Sequence, residues 1–378
     1  MAEVTTEQRR RHRNKLLFLM IAGAIGIMLL VIGGYQLVEF SDSTAFCGRL
    51  CHQVMYPEYT AYQASPHSRV LCSDCHVGSG ASYLVKSKLS GIPLIFSTIA
   101  GTYDRPITTP VRNLRPARET CEQCHRPERF AGDIVRVHTT YATDEQNTET
   151  VDTRVLRVGG GEPEVARDIH WHIVANVWYL PLDDERQQIA WVGVENTNGE
   201  ITEYGNPSQP PELSQQRIED EKRLMDCIDC HNRATHIFSS PSDLIDIALL
   251  QGKIDNNLPF IKREGLKALD QPGPSLEEAY TKVEALADFY RTSYPQIYQE
   301  NEAAIGAAIA ELKTVAQLTT FPYMKVTWNT YLDNLSHQES PGCFRCHGKL
   351  EATSGDQEGT TIDADCNLCH YFVQNIIK

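Results

Sequence analysis

Every one of the chain's twelve cysteines belongs to a close pair, and each pair is followed at once by a histidine. Five pairs keep two residues between the thiols: Cys72/Cys75-His76, Cys121/Cys124-His125, Cys227/Cys230-His231, Cys343/Cys346-His347 and Cys366/Cys369-His370. The first, Cys47-Gly-Arg-Leu-Cys51-His52, keeps three. Cys-x-x-Cys-His is the attachment pattern of c-type haem. Residues three or four apart share a helix face, so both thiols meet the vinyl groups along one porphyrin edge. The next residue is turned by roughly a third of a turn, and its imidazole swings under the ring to the iron. Histidine is 13 of 378 residues, so chance puts one after a given pair about one time in thirty, and six in six is not chance. Zinc needs four ligands and no such triplet, and a disulfide scaffold is a short chain dense in cysteine. Six covalently bound haem c groups are expected, with His52, His76, His125, His231, His347 and His370 as proximal iron ligands.

A 41% hydrophobic content is low for one large apolar core, and six porphyrins make up that deficit. The expected fold is a multihaem cytochrome c, mostly α with long loops. The formal charge is −14, which excludes nucleic acid as a partner, because phosphate binding needs a basic footprint.

Residues 1–15 form a basic N-terminus, with Arg9, Arg10, Arg11, Arg13 and Lys15. Leu16–Val38 follows without a charged side chain, long enough to cross a bilayer at about 1.5 Å per residue. Tyr35-Gln-Leu-Val-Glu-Phe40 is a poor cleavage site, so the segment reads as a single retained transmembrane helix. The basic cluster holds the N-terminus in the cytoplasm and puts residues 39–378 outside, in the periplasm of a bacterial inner membrane. His12 is then on the wrong side to meet a haem. Cys47 comes nine residues after Val38, so haem 1 is expected at the membrane surface, within reach of a lipid-soluble quinol.

The anchor, Phe46-Cys47…Cys51-His52 with Met55 behind it, Tyr62-Gln-Ala-Ser-Pro-His67 and Cys72…Cys75-His76-Val77 resemble the NapC/NirT family of membrane-anchored multihaem quinol dehydrogenases. The likeness covers residues 10–125 closely and His231 loosely; beyond that it rests on the haem motifs. It implies electron transfer from the membrane quinol pool to a periplasmic cytochrome or reductase, in an enlarged six-haem form. It further implies Met55 as a ligand of haem 1, unless it packs on the porphyrin face, and His67 as a distal ligand. Lys88 lies where relatives carry a quinol-contacting lysine, and Gly101-Thr-Tyr-Asp104 resembles a family Gly-Thr-Ile-Asp stretch. Lys86, Lys88 and Asp104 are therefore candidates to exchange protons with quinol.

After the haem 1–3 region (39–130), residues 131–205 carry short alternating runs between Gly-, Asp- and Asn-rich turns. They read as a small antiparallel β insert between motifs 3 and 4. The runs are Ile134–Val137, Val155–Val158, Ile169–Ile173, Ile189–Val192 and Ile201–Tyr204. In a strand, His170 and His172 would share one face. Residues 206–335 read as helical around motif 4, with helices over Pro210–Asn232, Pro241–Gln251, Ser275–Tyr294 and Gln296–Leu318. Residues 336–378 carry motifs 5 and 6. Outside the motifs, His67, His138, His170, His172, His236 and His337 match the demand for distal ligands. If Met55 serves haem 1, His170 or His172 is the spare, and Met324 is a weaker candidate.

Two functions remain open from sequence. One is a hexahaem conduit that oxidises quinol itself. The other is an electron-transfer subunit of a larger membrane complex with no quinol site of its own. A homo-oligomer is also open. A reductase with an open haem fits less well, since all six motifs end in histidine.

Overall fold

The structure, a computed structural model, describes residues 6–50, 52–78, 80–110, 116–126, 129, 132–162, 165–196, 199–207, 213–269, 275–354 and 357–373. Helix α1 (Thr6–Asp42) contains the whole uncharged segment. Its large apolar side chains face outward, Phe18 at 70% and Leu30 at 77% exposure. No packing within the chain satisfies this surface, and among the described residues α1 is the one helix long and apolar enough to cross a membrane.

A π-helical turn at Phe46–Leu50 follows. Such a turn bonds i to i+5, which is the local geometry that one extra residue between the first two cysteines calls for. Phe46 packs edge-on to Phe40, ring centres 5.6 Å apart, fastening motif 1 to the end of the anchor. Gly48 lies inside the turn; a Cβ there would meet the Tyr59 ring at 2.1 Å. Tyr59 belongs to α2 (His52–Ala64). Motif 2 forms α3 (Cys72–His76). Helix α4 (Ala81–Ala100) follows, stopped by Gly101 in the left-handed region, φ 68°. Leu94, Phe96 and Ile99 of α4 are exposed. Motif 3 begins at the end of α5 (Ala117–Cys121).

The β-rich stretch is two antiparallel sheets, not one insert. Strands β1 (Ile134–Tyr141) and β2 (Glu149–Leu156) form a hairpin; β3 (Val177–Pro181), β4 (Ile189–Glu195) and β5 (Ile201–Gly205) form a meander. Both are completed from the C-terminal region. Strand β9 (Glu351–Ala352) pairs with β5, and β10 (His370–Phe372), which carries the sixth motif histidine, pairs with β2.

The run Ile169–Ile173 is not a strand. Asp168 adopts φ +62°, and its carboxylate is held by Arg157 at 2.7 Å. Chain direction breaks there, and Trp171–Val174 closes a helical turn, α6, with His170 at its cap.

The expected helix over Pro210–Asn232 is also shorter. Helix α7 spans Gln215–Glu221, and β6 (Arg223–Leu224) then leaves it to pair with β3; residues 208–212 lie outside the described residues. Motif 4 occupies α8 (Cys227–Cys230).

Helices α9 (Pro241–Leu250), α10 (Ile261–Leu269), α11 (Leu276–Glu284), α12 (Leu286–Ser293), α13 (Pro295–Glu300) and α14 (Glu302–Thr319) form the largest apolar core. Ser275 caps α11 through the Glu278 amide, 3.2 Å. The two long helices expected here are each broken once, at Ala285 and at Asn301. Ile245, Tyr290 and Leu312 are fully buried at the centre. Lys262 donates to both Asp246 oxygens, 2.7 and 2.8 Å, inside this unit. Asp246 also accepts the Tyr141 amide at 3.1 Å, tying the helices to the hairpin.

Candidate metal centres

The motif histidines are paired. His76 faces His236 with ring centres 6.3 Å apart, His125 faces His67 at 6.0 Å and His231 faces His170 at 6.5 Å. His347 faces His172 at 5.8 Å, and His370 faces His337 at 6.1 Å. A metal–imidazole bond is about 2.0 Å and the ring centre lies about an ångström further on, so two rings on opposite sides of one ion sit about 6 Å apart. All five pairs have that spacing. Among the described residues no group of three or more His, Cys, Asp or Glu could hold a metal ion, so each pair would supply two nitrogens to a metal whose other ligands come from elsewhere. A haem would supply those, and the residues present fit it.

Local sequence explains how each second histidine is held. His67 lies in a turn whose carbonyls at Ser68 and Val70 both accept from the buried Tyr62 hydroxyl, 2.7 and 2.9 Å. The α6 turn aims His170 and His172 at two different motif histidines, which a shared strand face would not do. His337 sits in a loop locked by Gly342 at φ +51°, where a Cβ would come within 2.0 Å of the Ser336 carbonyl.

Burial lowers the pKa of His76, His170, His172, His231 and His236 below the ordinary histidine value. That keeps the rings neutral, as metal ligation requires. Nδ1 of His172 meets the Ile169 carbonyl at 2.8 Å, and Nδ1 of His347 meets that of Asp363 at 2.5 Å. A carbonyl only accepts, so these nitrogens carry the proton and Nε2 is left bare for a metal.

The cysteines do not all follow the expected geometry of two thiols on one helix face. Motifs 2 and 4 do, since α3 and α8 each contain both cysteines of their pair. Motif 3 does not, because Cys124 lies beyond the end of its helix. Helix α5 ends at Cys121, and residues 122–124 form a turn in which the Cys124 and His125 amides both donate to the Cys121 carbonyl, 3.1 and 2.8 Å. Cys124 is therefore off the helix and exposed, whereas Cys121 is half-buried. Its reading as a haem attachment point rests on the motif spacing, not on a helical placement. Cys75 and Cys366 are exposed as well. Burial instead pushes the Cys230 thiol up to about 11 and that of Cys346 up to about 12.

The motifs also touch one another in chain order. Cys47 lies near Cys72, Cys121 near Cys227, and Cys343 near Cys369, close enough for each thiol to act on its neighbour's titration. These contacts push Cys47, Cys227 and Cys369 up, and bring Cys72 down to about 7 and Cys343 to about 6. Between motifs 3 and 4, the Ala117 amide donates to Asp226 at 2.9 Å. Between motifs 4 and 5, Arg345 donates to the Asp229 carbonyl at 2.6 Å and to that of Arg186 at 3.0 Å. The buried Asp229 carboxylate accepts from Tyr179 (2.5 Å), Arg186 (2.8 Å) and the Asp226 amide (2.7 Å). Asp229 thus clamps motif 4 to the β meander, a role sequence spacing did not signal.

The family-model match to the NapC/NirT cytochrome c family, N-terminal region, covers residues 9–110. The chain is also 43% identical over 366 residues to the cytochrome c-type protein ImcH of Geobacter sulfurreducens, spanning 96% of this chain and 71% of that one. The chain belongs to the NapC/NirT-like multihaem c-type cytochromes. As a member, it is a membrane-anchored electron-transfer protein with covalently bound haem c. No solved structure matches it.

The remaining expected site residues of this cytochrome fall apart from the five pairs. Cys51 and the side chain of His52 lie outside the described residues. Met55 is half-buried on α2, and Met324 is buried in a small apolar cluster with Val54, Phe321 and Val326. His138 is exposed on β1 opposite Asp152 and belongs to none of the pairs. Among the described residues the unpaired histidine of the six is therefore His138, whereas His170 and His172 both have motif partners.

At the membrane end, Lys88 donates to Ser41 Oγ at 2.7 Å and forms an ion pair with Asp42, both at the end of α1. Both charges act on the Cys47 thiol. Lys86 is exposed. Asp104 accepts from Thr108 at 3.2 Å, and its neighbours Tyr103 and Arg105 bond the Tyr323 hydroxyl at 2.7 and 3.1 Å. Among the described residues no hydrogen bond or ion pair joins Lys86, Lys88 and Asp104. Sequence patterns pointed to Lys88 but not to Asp42, its partner.

Proposed function

We propose that this cytochrome oxidises membrane quinol at the periplasmic face of a bacterial inner membrane. It would pass the electrons through six haems to a periplasmic cytochrome or reductase. The observation that carries this reading is the placement of motif 1 directly on the end of the anchor, with five imidazole pairs beyond it. Haem bound between such pairs supplies one-electron transfer at a potential set by its axial ligands and their hydrogen bonds. In this reading the twelve cysteines make the thioether links and the five pairs are the axial ligands of haems 2–6. His52 ligates haem 1, with Met55 or His138 as the other candidate. The proximity of successive motifs supports a row of haems that follows chain order.

Quinol oxidation releases two electrons and two protons. Lys88 and Asp42, anchored together beside motif 1, are placed to orient the quinol hydroxyl and receive its proton. Lys86 and Asp104 are the further proton-exchanging groups of this reading. The test is reduction of the detergent-purified full chain by menaquinol and ubiquinol analogues, with dithionite as the complete reductant. Quinol reduction of most haem supports the reading; haem reducible by dithionite and by no quinol refutes it.

The exposed apolar side chains of α4, Leu94, Phe96 and Ile99, favour a second reading, an electron-transfer subunit whose membrane partner meets this face and oxidises the quinol. Copurification of a quinone-binding membrane subunit, with no quinol turnover in its absence, selects this alternative.

A further inference from the structure

We infer that Glu58 sets the potential of the haem held by His76 and His236, through a half-buried carboxylate on the back of an axial ligand. This rests on the reading of that histidine pair as the ligands of haem 2. Glu58 sits on α2, the helix that begins at His52, the motif 1 histidine. Nδ1 of His236 meets the Glu58 backbone carbonyl at 3.0 Å and the Glu58 carboxylate at 3.1 Å. Both groups accept, so His236 presents Nε2 to the metal and gives its Nδ1 proton to the Glu58 backbone carbonyl, with the carboxylate charge beside that proton. His172 and His347 also give theirs to carbonyls.

The carboxylate is itself fixed. Arg233 is 8% exposed and reaches Glu58 at 3.2 and 3.3 Å. Its guanidinium lies over Phe238 and Tyr331, 5.1 and 4.6 Å from the ring centres, and its Nε donates to the His236 carbonyl at 2.8 Å. Glu58, Arg233 and His236 therefore form one closed unit, with Arg233 buried and the other two half-buried.

A carbonyl bonded to a ligating imidazole and a carboxylate beside the same proton make the ring a stronger donor, and the carboxylate charge favours the ferric over the ferrous state. Both effects lower the potential of that site, and Arg233 offsets part of them. Glu58 is a positioning residue with an electrostatic role; it touches neither haem nor quinol. Its place also matters for electron flow. A low-potential second site, next to the membrane-side haem, is a step that electrons must climb before descending the rest of the row.

The experiment is Glu58→Gln in the full chain in detergent, with haem content verified by intact mass. Potentials come from spectroelectrochemical titration, and individual low-spin haems from electron paramagnetic resonance. Glutamine keeps the size and an accepting oxygen but removes the charge. The expected result is one potential raised by at least a tenfold change in equilibrium, about 59 mV for one electron, with the other haems unmoved. Arg233→Gln should move the same haem the opposite way. A Glu58→Gln protein with every potential unchanged, or with that haem shifted downward, overturns the inference. His236→Ala marks the haem concerned: it should abolish one bis-histidine signal, the one that moves in Glu58→Gln. If every low-spin signal survives in His236→Ala, the pairing itself fails, a result separate from a failure of the Glu58 assignment.

Discussion

Replacing Gly48 with alanine tests whether motif 1 needs its tight turn. The added Cβ would fall 2.1, 2.5 and 2.7 Å from Cδ2, Cε2 and Cγ of Tyr59. Ordinary contact begins at 3.4 Å, so the ring or the helix must retreat by about 1.3 Å, an overpacking cost of about 1–3 kcal/mol. The ring cannot simply swing away. It stacks on Tyr62 at 6.1 Å, and its hydroxyl accepts from Gln63 at 3.1 Å. Cγ is close to the backbone, so α2 itself must shift. Local opening of Phe46–Ala64 should rise by between about 5- and 150-fold, read by limited proteolysis with mass mapping. Intact mass should show a population of chains one haem short. Tyr59→Leu in the same chain should restore both readouts. Full haem loading with unchanged proteolysis in Gly48→Ala refutes the requirement.

Three further outcomes follow from the same geometry. His172→Ala should convert one haem from low-spin to high-spin and leave the other bis-histidine signals in place, read by magnetic circular dichroism. Lys88→Met should slow quinol-driven reduction by about 10²-fold or more while dithionite reduction is unchanged; equal rates from quinol would exclude Lys88 from the reaction. Lys262→Met strands the buried Asp246 carboxylate and should cost about 3–5 kcal/mol, seen as early proteolysis of the 241–319 helices, while Lys262→Met with Asp246→Leu should recover most of it.

What could be read from sequence was whatever the chemistry fixes locally. The Cys-Cys-His spacing, the uncharged 23-residue run and the alternation in β1, β4 and β5 each have a short-range cause. Spacing does not fix the backbone that carries it, however: Cys227 and Cys230 share a helix, while Cys121 and Cys124 at the same interval straddle a helix end. Ile169–Ile173 alternates just as well as the true strands and yet is a helical turn, because Asp168 in the left-handed region and its bond to Arg157 end the strand geometry. Strand β3, Val177–Pro181, was not singled out, since its continuous apolar run lacks alternation. The supply of histidines was legible as a count, but not as partners: His76 and His236 meet across 160 positions of chain, and nothing near either one announces the other. The Glu58–Arg233 and Asp42–Lys88 contacts are of the same long-range kind.

The histidine pairs also put a timetable on assembly. Both rings of the His67–His125 pair are in hand once residue 125 has been made, and those of His170–His231 by residue 231. His76, though early in the chain, waits for His236; the last two sites close only at His347 and His370. If each pair brackets a haem, the second site completed is not the second one translated, and a chain truncated at residue 232 should carry motif 2 haem with one axial position unfilled by its own histidine. Strand β10 then acts as a closing stitch, since it joins the sheet only when the motif that carries His370 arrives.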